Sequence, residues 1–94
     1  MPNVPLNALR TFEAVASRLS FSRGAEALNV SPAAVSSQIR ALEDRLNQPL
    51  FHRHGRHVTL TEAGSKLLPG VQRGLAELRQ AVEVISQDRS EGAL

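Results

Sequence analysis

The sequence predicts a mainly α-helical domain: three short helices and a small β-hairpin, continued by one long helix. Three observations predict it. Apolar residues recur at helical spacing in four separate stretches. A short alternating stretch around Gly55 interrupts them. Ser, Thr, Asn or Pro stands at most of the boundaries, where helices start and stop. At 94 residues this is one small domain with a modest core.

Residues 1–5 hold two prolines and are expected to be extended. Leu6, Leu9, Phe12, Val15, Ala16 and Leu19 then keep one side of a support helix apolar, with Arg10, Glu13 and Arg18 off the stripe. Ser20-Phe21-Ser22 breaks the pattern. Ser22 is placed to cap a short helix over Arg23–Leu28, with Ala25 and Leu28 facing inward. Asn29 tolerates the left-handed conformation that ends a helix, and Val30 is expected to pack beneath the corner.

Ser31–Leu46 is the stretch the others serve. Val35, Ile39, Leu42 and Leu46 recur at spacings of four, three and four. Ser31 is a good N-cap, and Pro32 sits at the first helical position, where its missing N–H costs nothing. Pro32, Ala33, Ser36, Ser37 and Arg40 stay off the apolar stripe. A helix meant only for packing more usually carries Glu, Lys and Gln there; small polar residues let it approach a flat, edged surface such as the floor of a DNA major groove. A short helix, a turn of about three residues and a longer helix make a helix-turn-helix, whose second helix enters that groove. Ser22 and Ser31 lie near helix N-termini, where a phosphate contact can accompany capping.

Asn47-Gln48-Pro49 stops the long helix, and Leu50-Phe51 anchors the next segment to the core. Residues 50–60 read as a β-hairpin with Gly55 at the reversal and Val58 and Leu60 alternating with Thr59, which is the wing of a winged helix-turn-helix. Arg53 and Arg56 flank its tip, and Arg suits a narrow minor groove. His52, His54 and His57 invite a metal reading. Strand alternation aims His54 and His57 without regard to one shared ion, and no carboxylate is adjacent, so a solvated tip near phosphate is preferred. Phosphate favours the charged imidazolium, so DNA affinity should rise as pH falls from about 8 to 6.

Thr61 caps the last helix and Glu62 meets its dipole. Leu67 and Leu68 begin an apolar set; Val71, Leu75, Leu78, Val82 and Ile85 continue it as a heptad seam. Pro69 is expected to kink the helix. The seam needs a cover, and a second copy of the chain is the expected one. The chain thus divides into a winged helix-turn-helix over 1–60, a dimerisation and linker helix over 61–86, and a polar, frayed tail over 87–94.

Composition limits the function classes. There is no Cys, hence no disulfide framework and no thiolate metal site. No apolar run approaches the roughly 18 residues of a membrane span, and no signal peptide opens the chain, so a cytoplasmic protein with no membrane partner is expected. Net charge is only +2, but the basic set is ten Arg and one Lys, suited to bidentate contacts. Residues 1–60 hold seven Arg against Glu13, Glu26, Glu43 and Asp44; residues 61–94 hold four basic groups against five acids. Three Phe are the only aromatics, which argues against stacking on single-stranded bases. No carboxylate pair, nucleophile with a base, or Gly-rich phosphate loop is present; Ser36 and His52 would have to meet by chance. An enzyme is not expected, nor a cofactor.

The run LNALRTFEAVASRLSFSRGAEALNVSPAAVSSQIRALEDRLNQPLFHRHGRHVTLTEAG resembles the LysR-type transcriptional regulators. AVSSQIRALEDRLNQPLF, the A-E-x-L before it and LTEAG before a long helix are its most specific parts. Leu68-Pro69 and the Phe-x-Arg-x-x-Arg wing look like the branch that includes the glycine-cleavage activator and the β-lactamase regulators. The resemblance implies a homodimer, with a tetramer open for the full-length regulator, on a two-fold double-stranded DNA operator. It also implies a larger C-terminal ligand-sensing domain, absent from this sequence, which makes an excised DNA-binding fragment the expectation. Base contacts map to Pro32, Ala33, Ser36 and Ser37; phosphate and minor-groove contacts map to Ser22, Ser31, Gln38, Arg53 and Arg56. Many members have Pro in place of Ala33 and Arg or Gln in place of Ser37. Ser37 removes a bidentate guanine reader, so readout shifts toward methyl contacts, water and DNA shape. The alternative is a dimerisation or interaction module, working through the 67–85 seam, with weak or lost DNA binding.

Overall fold

The computed structural model describes residues 3–55 and 57–92. Helices α1 (Leu6–Arg18), α2 (Phe21–Leu28) and α3 (Pro32–Leu46) are followed by strands β1 (Phe51–His54) and β2 (His57–Leu60) and by helix α4 (Glu62–Gly92). The strands pair antiparallel, Phe51 opposite Leu60 and His54 opposite His57, around Gly55 at φ +60°.

The three short helices stop in the same way. Leu19, Asn29 and Asn47 each take a left-handed conformation, and the amide behind each reaches back five residues: Ser20 to Val15, Val30 to Ala25, Gln48 to Glu43. This closes carbonyls that a helix end leaves unpaired. Asn is suited to it. Leu19 is not, and it lies on the stop, 46% exposed, rather than on the buried stripe where its spacing put it. Val30 also differs from expectation: it is 48% exposed, because its backbone is used in the helix stop while Ala25 and Val35 fill the corner.

The core gathers one face of every element. Phe12, Val15, Val35, Ile39, Leu42 and Leu50 are its largest fully buried side chains, joined by Phe51, Val58, Val71 and Leu75. Burial of such a side chain contributes roughly 1.5–3 kcal/mol, so these positions carry most of the driving force. Three aromatic rings tie the wing to the helices: Phe12 lies 5.5 Å from Phe51, and Phe21 lies edge-on 5.6 Å from Phe51.

Two expectations for the long helix are corrected. Val71 and Leu75, predicted to face a second copy, are buried in the chain's own core with residues of α1. The heptad seam therefore serves two surfaces, and only Leu78, Val82 and Ile85 remain open, 49%, 64% and 69% exposed. The helix also runs on to Gly92 instead of ending at Ser86. From Gln87 to Glu91 the sequence holds no Pro or Gly, and Gln, Arg and Glu are good helix formers. Pro69 lies within the helix, which continues through it. No helix of the described residues is long and apolar enough to cross a membrane.

Candidate nucleic-acid interface

Helix α3 has one face in the core and one in solvent. Val35, Ile39 and Leu42 are buried, while Pro32, Ala33, Ser37 and Arg40 are exposed and Ser36 is half-buried. The Ser31 hydroxyl accepts the Ala34 N–H at 3.1 Å, with Pro32 at the first helical position. The free face is narrow in side-chain volume at its N-terminal end, so the backbone there stands close to whatever it meets.

Helix α2 is capped by Ser20, not Ser22. The Ser20 hydroxyl accepts the Arg23 N–H at 3.1 Å from an extended backbone, and the helix begins at Phe21, earlier than the expected start at Arg23. Ser22 is inside the first turn and exposed, its hydroxyl 3.3 Å from that of Ser20. The sequence S-x-S offers two caps. The choice follows from the stop at Leu19, which leaves Ser20 as the first residue free to be extended.

Gln38 is half-buried and committed on one side. Thr11 of α1 donates its hydroxyl hydrogen either to the Gln38 side-chain oxygen or to the Asn7 carbonyl at 3.0 Å. This contact joins residues 27 positions apart and was not legible in the sequence. The Gln38 amide nitrogen can still act as a donor.

The wing is fixed at its base from both sides. The Glu43 carboxylate of α3 accepts the N–H of Leu50 at 2.7 Å and of Phe51 at 3.4 Å. Thr61 donates its hydroxyl to the Pro49 carbonyl at 2.7 Å and accepts the Gly64 N–H at 3.0 Å, while its own N–H reaches the Leu50 carbonyl at 3.0 Å. Gly64 is required here: a Cβ at that position would stand 2.3 Å from the Leu50 carbonyl oxygen.

Pairing register sorts the wing's side chains into two faces. Phe51, Arg53, Val58 and Leu60 share the inner face; His52, His54, His57 and Thr59 share the outer one. The three His thus lie together, with the His52 and His54 rings 6.1 Å apart, contrary to the alternation argument that scattered them. Cross-strand partners point the same way, which the spacing alone concealed. Among the described residues no group of three His, Cys, Asp or Glu is arranged to hold a metal ion. Arg53 lies over the Phe21 ring, its guanidinium carbon 4.5 Å from the ring centre. Arg56 lies outside the described residues.

Helix-turn-helix, wing and long trailing helix together define a winged helix-turn-helix domain. Residues 6–65 match the model of the bacterial regulatory helix-turn-helix protein, lysR family. The chain belongs to that family. It is 44% identical over 90 residues to the glycine cleavage system transcriptional activator of Escherichia coli (strain K12), covering 96% of this chain and 30% of that protein. It is 54% identical over 66 residues to the transcriptional activator AmpR of Yersinia enterocolitica, covering 70% of this chain and 22% of that protein. Among solved structures, the BenM DNA-binding domain in complex with catB site 1 DNA superimposes with a TM-score of 0.83 at 30% identity, over 92% of this chain and 97% of that one. Oxidised OxyR of Corynebacterium glutamicum also gives 0.83, at 32% identity, over 88% of this chain and 27% of that one. The chain spans about a third of the length of such curated relatives. These curated relatives are transcription regulators, not enzymes, and the residues described form a helix-turn-helix domain of the lysR family.

Proposed function

We propose that this domain binds double-stranded DNA in a sequence-specific manner, as a homodimer, and is the DNA-reading part of a bacterial transcription regulator working in the cytoplasm. One observation carries the reading: α3 buries Val35, Ile39 and Leu42 while a capped row of small residues stands free on its other side. Such a helix fits a major groove. Pro32, Ala33, Ser36 and Ser37 take the base edges. Ser22, Ser31, Gln38, Arg53 and Arg56 take phosphates and the minor groove, and give affinity more than sequence preference. The superposition on a DNA-bound relative supports this docking.

The second copy is held through α4. Leu78, Val82 and Ile85 form an exposed apolar row beyond the core, and Leu78 and Val82 line a groove together with Leu6, Arg10, Glu13, Arg79 and Glu83. A paired molecule covers that row and meets a rim carrying both signs of charge. Two-fold pairing then places two recognition helices on half-sites about one helical turn apart, or a multiple of it.

Selection of bound sequences from a random duplex library tests the proposal. A motif with two related halves is expected, and Ser36→Ala should shift base preference within each half. Recovery of no motif, with no salt-dependent gel shift, would leave the domain as an interaction module built on α4.

A further inference from the structure

We infer that Phe21 is a positioning residue for Arg53, holding the guanidinium ready for the nucleic-acid backbone. The inference rests on the proposed DNA-contact role of Arg53 and says how that contact is prepared. Arg53 is on the inner face of the wing, with Phe51 and Val58, not on the outer face with the histidines. Its guanidinium lies close enough to Phe21 to bring the central carbon within 4.5 Å of the ring centre. A cation held over a ring by its quadrupole spends none of its N–H hydrogens on a conventional acceptor. Among the described residues, those donors have no carboxylate or hydrogen-bond partner.

The ring is itself packed against the core. Phe21 is the first residue of α2, directly after its cap Ser20. Its edge contacts Phe51, and Phe51 leans on the fully buried Phe12. A chain of three rings therefore runs from the core to a surface arginine. A free Arg side chain samples many rotamers and must lose that freedom on binding. Held over a packed ring, it has lost part of it beforehand. The contact also joins the wing to the start of α2.

A double-mutant cycle on the purified chain decides this, measured as duplex affinity across a salt series, with thermal melts to confirm folding. Arg53→Ala should weaken binding and reduce the salt slope by about 0.9, the loss of one phosphate contact. Phe21→Leu, which keeps apolar bulk but removes the ring face, should weaken binding about two- to fivefold. Phe21→Tyr, which keeps the face, should bind as the parent does. The double variant Phe21→Leu, Arg53→Ala should bind no more weakly than Arg53→Ala alone. If the two losses multiply, Phe21 acts through the fold and the inference is overturned while the Arg53 contact stands. If Arg53→Ala changes neither affinity nor slope, the proposed contact itself fails. Phe21→Met takes the place of Phe21→Leu should the latter not fold, with the same expected outcomes.

Discussion

Replacing Gly64 by Ala sets two rules of protein stability against each other. Gly64 lies in the first turn of α4, and by helix propensity alone Ala should stabilise the chain by about 1 kcal/mol. The contacts reverse the sign. The added Cβ would sit 2.3 Å from the Leu50 carbonyl oxygen and 2.9 Å from Leu60 Cδ2. Relief requires the backbone at Leu50 to retreat by close to an ångström, and Leu50 is held on two sides: its N–H by Glu43 at 2.7 Å and its carbonyl by the Thr61 N–H at 3.0 Å. Overpacking of this kind costs about 1–3 kcal/mol, and a lost hydrogen bond adds about 1 kcal/mol. After the propensity gain, Gly64→Ala should destabilise by about 1–3 kcal/mol. For a domain whose stability is of order 5–10 kcal/mol that is a large fraction. Urea unfolding followed by circular dichroism, at one fixed protein concentration so that association does not move the midpoint, measures it. A midpoint equal to or above the parent's would refute the argument, because the wing base would then have the freedom that its bonds deny it.

Three further outcomes are expected. Thr61→Val should cost about 2–4 kcal/mol, since it strips the Pro49 carbonyl and the Gly64 N–H of their partner at a buried site, whereas Thr61→Ser should cost less than about 1 kcal/mol in the same unfolding measurement. Val82→Glu, on the open part of α4, should shift the chain from dimer to monomer in sedimentation without lowering helix content; Val71→Glu should instead unfold it, as its buried position requires. Changing His52, His54 and His57 together to Gln should alter stability by less than about 0.5 kcal/mol in the same unfolding measurement, because all three stand exposed on the outer face of the wing.

Local features were legible from the residues alone. Val35, Ile39 and Leu42 at helical spacing, Ser31 before Pro32, Asn29 and Asn47 at helix ends and Gly55 at a reversal are each read within a few residues, because caps, turns and amphipathic faces arise from neighbouring backbone geometry. The free face of α3 followed as the complement of its buried one. Tertiary structure alone decided what depends on partners distant in the chain. Ser20 won the cap because α1 stopped at Leu19; α1 drew Val71 and Leu75 inward and left only the far part of the seam open. The pairing register put Arg53 over Phe21 and collected three histidines on the opposite face. Spacing states which side of its own element a residue occupies, whereas the element that covers that side is set by packing of the whole chain.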